Sequence, residues 1–214
     1  LSLFPNAVLH MLQNDYNIFV DGGVSHIALG TVSKHPIYPL KMHDEFQADP
    51  LSVLLNAFSK IERDGGGAAI QFVIGGGSSD YQHTYESIIK RLEKGESKEV
   101  AIRKSTLAGS LFEEVKSIVS ASHTEEKEKP KEVETQLVEL FRKKIETPIH
   151  RTNVRIAVSA GNDTRAFQIM TEIEASFNQF HNVQGNKITF ERLGVGRRAR
   201  ALRAFSFRED DEKT

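Results

Sequence analysis

The sequence predicts an α+β fold made of two β-α-β halves of the ferredoxin-like type, with one sheet and helices packed mainly on one of its faces. Three observations support this prediction. Residues 153–160, "NVRIAVSA", alternate apolar and polar side chains as a strand does. A long apolar helical stripe follows the "DP" pair at Asp49–Pro50. Both halves also repeat the order strand, helix, strand, which predicts right-handed crossovers onto one sheet.

In the first half, the segment Val24–Ser33 has strand-like spacing of its apolar residues. A helix is then expected at Asp49, whose carboxylate can accept free backbone amides, with Pro50 at the first helical position. After it, Ala68–Ile74 is short and rich in β-branched residues, which predicts an interior strand. We interpret the glycine triplets on either side of it as turns. The apolar stripe of the helix that begins at Asp49–Pro50 comprises Leu51, Leu54, Leu55, Phe58 and Ile61.

Three more helices are predicted before the strand at Asn153–Ala160. The first begins with Ser79 and Gln82 at capping-box spacing. The last has an apolar stripe from Val133 to Ile145 and ends before Pro148. Between the second and the last lies 121–131, "ASHTEEKEKPK", whose charged composition predicts a mobile linker. The stripe of the second helix comprises Leu107, Leu111, Phe112, Val115, Ile118 and Val119.

The first strand of the second half is Asn153–Ala160, whose residues Asn153, Arg155 and Ser159 are expected to point away from the core. A helix over Thr164–Phe180 and a return strand over Lys187–Leu193 follow. We divide the chain into a first half with two extra helices (1–120), the linker (121–131), a second half (132–194) and a basic, then acidic tail (195–214). The alternation of Phe205 and Phe207 in the tail predicts a short strand entering a further domain.

Composition restricts the class of protein. The chain has 214 residues, 39% of them apolar, and a formal net charge of −1, so overall charge favours neither nonspecific nucleic-acid binding nor membrane adhesion. It contains no cysteine, which excludes disulfides and thiolate metal sites and fits a cytoplasmic location. No apolar run reaches the roughly 20 residues that a membrane span needs. The start at Leu1 rather than Met suggests an excised fragment.

The glycine-rich stretch "GGGSSD" is the first candidate site. A glycine loop before a helix can bind phosphate through bare amides and the helix dipole, so Gly75, Gly76, Gly77, Ser78 and Ser79 form a candidate anion-binding loop. The stretch lacks the lysine and hydroxyl pair of a P-loop, and Asp80 would place a negative charge beside the phosphate. A turn between strand and helix is the alternative interpretation.

No other pattern predicts catalysis or metal binding. The eight histidines show no metal-binding helical spacing and no His-Glu-x-x-His pattern. Ser78 and Ser79 lack the trailing glycine of a nucleophile elbow. We therefore predict no catalytic residue, no metal ligand and no cofactor.

The arginine cluster is the second candidate site. Arg197, Arg198, Arg200 and Arg203 lie within "GRRARALRAF", and a helix there would place Arg197 and Arg200 on one side. Such a cluster can neutralise phosphates. The alternative is a linker whose arginines pair with the following "EDDE" or with a neighbouring domain.

Four stretches in order resemble a known family: "FPNAVLHMLQNDY", "YPLKMHDEFQADPLSVLLNAFSKI", "AAIQFVI" and "IETPIHRTNVRIAVSAGNDTRAFQIMTEIEASFNQF". Together they resemble the region before the motor domain in bacterial type IV secretion and conjugative DNA-transfer ATPases of the coupling-protein type. The resemblance covers most of the chain from Phe4 to about Phe207, with the charged linker as an interruption. The lysine loop and acidic strand of such a motor are absent, so no catalytic residue is transferred to this sequence.

The resemblance implies a noncatalytic domain of a membrane-associated ATPase, on the cytoplasmic side of the inner membrane, acting in assembly, docking or substrate gating. Its expected partners are its own ATPase domain, other subunits of a secretion complex, further copies of itself and DNA. Two alternatives remain at this stage. One is a nucleic-acid binding module that uses the arginine cluster, and the other is a small nucleotide-binding enzyme that uses the Gly75–Asp80 loop.

Overall fold

The computed structural model describes residues 17–59, 61, 66–77, 79–107 and 131–209. The predicted helix with the Leu107–Val119 stripe lies outside the described residues, except that Leu107 ends another helix. The predicted linker 121–131 also lies outside them, except that Lys131 begins a helix.

Four strands form one antiparallel sheet, so the α+β prediction is confirmed. They are β1 (Val24–Val32), β2 (Gly66–Gly77), β3 (His150–Ala160) and β4 (Ile188–Arg192). Their order across the sheet is β2-β3-β1-β4. Each central strand is therefore paired on both sides with strands from the other half of the chain.

Two helices connect parallel strands that are not neighbours. The helix α1 (Pro50–Ser59) joins β1 to β2, and β3 lies between these two strands. The helix α5 (Asp163–Ser176) joins β3 to β4, and β1 lies between them. This interleaving of two β-α-β units is the split, ferredoxin-like arrangement that the sequence predicted.

The main core lies between the sheet and the helices α1 and α5. The even-numbered residues of β3 point into it, and Ile156, Val158 and Ala160 are fully buried there. The helix α5 begins at the cap Asn162, whose side chain accepts a hydrogen bond from the Arg165 backbone. A 3₁₀ turn over 177–180 extends α5 and adds Phe177 to the core. From α1 and α5 the core takes Leu54, Ala57, Ala166, Ile169, Met170 and Ile173.

Three helices between β2 and β3 enclose a second core. They are α2 (Ser79–Glu93), α3 (Lys98–Leu107) and α4 (Lys131–Ile145). The loop after β1 closes this core by inserting Ile37, which is fully buried. The remaining buried side chains of the second core are Tyr85, Ile88, Ile89, Leu92, Ala101 and Phe141.

A sixth helix, α6 (Val195–Ser206), lies on the sheet face opposite α1 and α5. The outward residues predicted for β3 do point to this second face, but they are not exposed. Asn153, Arg155 and Ser159 are 8%, 2% and 0% exposed. They are buried because α6 and the segment around Val20 cover this second face, and the Val20 amide donates a hydrogen bond to Ser159 Oγ.

Two local predictions were also wrong. The glycine triplets are not turns where they are described, because Gly66, Gly67 and Gly75–Gly77 belong to β2. Gly67 lies so close to the Ile18 carbonyl that a Cβ atom would stand 2.1 Å from its oxygen, which explains glycine at this position without any positive φ. The tail strand at Phe205 and Phe207 is instead the end of α6.

Candidate functional site

The helix α6 places the predicted arginine cluster on an ordered element. Its sequence "VGRRARALRAFS" is dominated by alanine, arginine and leucine, which favour helix. Ala204 is its buried residue, and it faces the sheet. Arg197, Arg200 and Arg203 are exposed, and their spacing of three residues places them along one side of the helix. We call these three residues the basic side of α6.

A buried arginine on β3 holds the end of α6. Arg155 Nη1 donates to the backbone carbonyl of Ala204 (3.3 Å) and to Gln71 Oε1 (3.1 Å). Its Nη2 atom is buried and has no hydrogen-bond partner. In the part of the chain that the structure describes, no carboxylate pairs with Arg155. A buried charge without a counterion is costly, so the carbonyl groups at the negative end of the α6 dipole take that role.

Gln71 completes this connection. Its Nε2 donates to the carbonyl of Phe205 (2.9 Å), while its Oε1 accepts from Arg155. The sequence showed Gln71 as the only polar side chain in an otherwise apolar strand, and the structure gives the reason. Both ends of its amide are used to join β2 and β3 to the last turn of α6.

The helix α6 ends in a Schellman motif, in which the backbone reverses. Arg208 donates its amide to Phe205 O (3.1 Å), and Glu209 donates to Ala204 O (2.9 Å). Arg208 has a φ of 55°, and it is the one non-glycine residue with positive φ in the described chain. Glycine usually occupies this position because a Cβ atom makes the left-handed conformation unfavourable.

The arginines of the cluster differ in their surroundings. Arg197 pairs with Glu191 on β4. Of the "EDDE" segment considered as a partner of the cluster, residues 210–212 lie outside the described residues. The guanidinium of Arg203 lies 5.8 Å from the ring centroid of Phe207. Arg198 is half-buried, and its Nε atom has no hydrogen-bond partner. Neither Arg200 nor Arg203 forms an ion pair within the described residues, and both side chains are exposed.

The candidate anion-binding loop is divided between two elements. Gly75–Gly77 are the last residues of β2, and Ser79 is the first residue of α2. Ser78 lies outside the described residues. Asp80 is in the first turn of α2. The pairing of β2 with β3 is irregular between Ile74 and Gly77.

A cluster of buried polar groups, which the sequence did not indicate, joins the loop after β1 to the helical insert. His35 Nδ1 accepts a hydrogen bond from the Ile37 amide (3.2 Å), so the ring proton is on Nε2, 3.3 Å from Thr106 Oγ1. Thr106 in turn donates to the Ile102 carbonyl (2.8 Å). Burial and the positive charge of nearby Lys144 lower the pKa of His35 to about 4. His35 is therefore neutral at pH 7.

Lys144 belongs to the same cluster. Burial lowers the pKa of its amine to about 8. Its Nζ donates to the Pro36 carbonyl and lies 5.9 Å from the ring centroid of Tyr85. Burial and Glu99 raise the pKa of the neighbouring Tyr38 to about 12. In the sequence, Lys144 is one of several charges in "FRKKIE", a pattern typical of an exposed helix face, so nothing local distinguishes it.

The described ranges contain neither a metal-binding cluster nor a helix suited to crossing a membrane. No group of three or more acidic or histidine side chains there could hold a metal ion. His26 Nε2 lies 2.7 Å from Asp163 Oδ1 at the start of α5, but the two form a simple pair. None of the described helices is both long and apolar enough to cross a membrane.

The chain was compared with known families and structures. No family model matches it, and neither a curated protein nor a solved structure matches it significantly.

Proposed function

We propose that this chain is a noncatalytic docking domain of a membrane-associated ATPase of the type IV secretion or conjugative DNA-transfer class. Docking is supported by one observation above all: α6 presents the basic side, Arg197, Arg200 and Arg203, from a helix end that is fixed to the sheet. The class of machine rests on the sequence resemblance. The domain would act on the cytoplasmic side of the inner membrane, in assembly, docking or substrate gating.

The connection between α6 and the sheet favours docking because it limits the entropy lost on binding. Arg155 and Gln71 both bind carbonyls of the last helical turn, so the cations of α6 are presented from a fixed backbone. Arginine is enriched at protein interfaces and can bind carboxylates with two parallel hydrogen bonds. The partner that fits this surface is an acidic face on the ATPase domain or on another subunit of the secretion complex.

The first test is the gene sequence on either side of the segment that encodes this chain. An apolar anchor encoded before Leu1 and a lysine-bearing phosphate loop after Thr214 would support the proposal. A gene that encodes neither the apolar anchor nor the phosphate loop would contradict the proposal. The second test is ATP hydrolysis by the purified chain, for which we expect no turnover. Robust turnover that is lost on Gly76→Val would show that the chain itself is the enzyme.

Docking is tested by binding of the chain to the ATPase domain encoded beside it. The double variant Arg200→Glu/Arg203→Glu should weaken binding at least tenfold, because both reversed charges face an acidic partner. Lys90→Glu is the matched control, since Lys90 is an exposed cation on α2 rather than on α6. Equal affinity of the double variant and the control would reject α6 as the docking element.

A nucleic-acid binding module is the second candidate function, favoured by the exposed cations of Arg200 and Arg203, which have no ion-pair partner among the described residues. Three phosphate contacts from the basic side of α6 predict that log K falls with log salt with a slope of about −2 to −3. Arg200→Ala/Arg203→Ala should reduce that slope by about 1.5 to 2 for single-stranded or duplex DNA. Titration at two salt concentrations measures it, and binding without salt dependence would eliminate phosphate recognition.

A further inference from the structure

The strand β2 forms one edge of the sheet, and its outer side carries no described strand. It is long for an edge strand, with 12 residues from Gly66 to Gly77. The opposite edge strand, β4, has five residues and ends in Glu191 and Arg192. Proteins commonly protect edge strands by making them short or charged. The edge at β4 has this protection, whereas the edge at β2 has neither feature.

The chemistry of β2 is suited to strand pairing. Its sequence, "GGAAIQFVIGGG", contains no charged residue and no proline. Phe72 and Ile74 are 51% and 67% exposed. They lie on the sheet face that carries α1, where Leu51 and Leu55 are also exposed. A shallow groove of about 520 Å³ follows the outer side of β2, lined by residues 69–74 and by Phe205 and Arg208.

We propose that β2 pairs antiparallel with β2 of a second copy of this chain, about a two-fold axis, to form a continuous eight-stranded sheet. A second copy fits this edge because two identical antiparallel strands are self-complementary about a two-fold axis. Since β2 has no charged residue, no like charges stand opposite each other within the strand pair, where they would oppose association.

The side-chain pattern selects a register. With Phe72 opposite its own copy on the axis, Ile74 lies opposite Ile70 of the second copy, and all three residues point to the α1 face. The new strand pair would then bring the exposed side chains of Phe72 and Ile74 from both copies together on one face of the sheet. This pairing uses the β2 edge, whereas the docking function proposed above uses the basic side of α6, so the two proposals are tested separately.

The first experiment measures the mass of the whole chain by sedimentation from about 1 to 100 µM. We expect a reversible monomer–dimer equilibrium. Ile74→Lys introduces a charge at an exposed edge position and should weaken dimerisation at least tenfold. Val183→Lys is the matched control, because Val183 is 84% exposed in a loop away from β2. Thermal melts of both variants would confirm that they fold.

The second experiment locates the two-fold axis by crosslinking. The natural chain has no cysteine, so each single-cysteine variant reports on one position only. Phe72→Cys should form an intermolecular disulfide much faster than Ile74→Cys or Val183→Cys, because only residues on the axis face their own copies at disulfide distance. A monomer at every concentration, a dimer that Ile74→Lys leaves intact, or equal crosslinking of all three variants would overturn the proposal.

Discussion

Acidification should destabilise this protein specifically through His35. The imidazole ring is buried. Its Nδ1 atom accepts a hydrogen bond from the Ile37 amide, and its Nε2 proton points towards Thr106 Oγ1. Protonation would place a donor where Nδ1 must accept, and it would bury a second positive charge near Lys144. The pKa of His35 is therefore lower in the folded state than in the unfolded chain.

The magnitude follows from the two pKa values. Burial lowers the pKa of His35 from 6.5 to about 4 in the folded state. Above pH 6.5 both states are neutral, and the full stability is present. Between pH 6.5 and pH 4 only the unfolded chain binds the proton, so the free energy of unfolding falls by about 1.4 kcal/mol per pH unit. The total loss is about 3 kcal/mol, and it is complete below pH 4.

The assay is urea unfolding of the natural chain and of His35→Asn at several pH values from 4 to 7.5. The introduced Asn side chain can still accept a hydrogen bond from the backbone amide of Ile37, but it loses the hydrogen bond with Thr106. At pH 7.5 the variant should therefore be about 1 kcal/mol less stable than the natural chain. At pH 4 it should be about 2 kcal/mol more stable, because it has no ring to protonate. His181→Asn, at an exposed position, is the control. A stability difference between His35→Asn and the natural chain that stays constant with pH would refute the reasoning.

Three further predictions concern other buried or unusual groups. Lys144→Met should raise the free energy of unfolding at pH 7 by about 1–3 kcal/mol, because it removes a buried amine whose pKa is lowered to about 8. From pH 8 to 10.5 this gain should shrink, because over that range the Lys144 amine of the natural chain is protonated only in the unfolded state. Urea unfolding at both ends of the range tests this. Gln71→Leu should cost about 1–3 kcal/mol, because Arg155 loses an acceptor, and limited proteolysis should then cut the α6 segment faster. Arg208→Gly should raise stability by about 1 kcal/mol in thermal or urea unfolding, whereas Arg208→Ala should give no gain.

The sequence predicted the elements of the split β-α-β framework well. The strand expected at Val24–Ser33 is β1, and the helix expected at Asp49–Pro50 begins at Pro50. The return strand expected at Lys187–Leu193 is β4. These elements were predictable because their sequence signals are local. Apolar residues alternate with polar ones in the strands and recur every three to four residues in the helices, and a proline marks the first position of α1.

The candidate site was only partly predictable, because its key contacts join distant parts of the chain. The cluster at 197–203 was visible in the sequence, but the role of Arg155 was not. Its burial depends on α6 lying across β3, 49 residues further along the chain. The same applies to Lys144, which contacts Pro36 across 108 residues. The tail was predicted as a strand because the alternation of Phe205 and Phe207 was given more weight than the strong helix formers before them.

The interleaved sheet has a consequence for how the protein is made on the ribosome. Val24 of β1 pairs with Ala160 of β3, and the other side of β1 pairs with β4. Both neighbours of β1 are thus translated long after it. The strand β1 therefore stays unpaired until most of the chain has left the ribosome. Such a nascent chain depends on its helices, or on a chaperone, to shield apolar segments until β3 arrives.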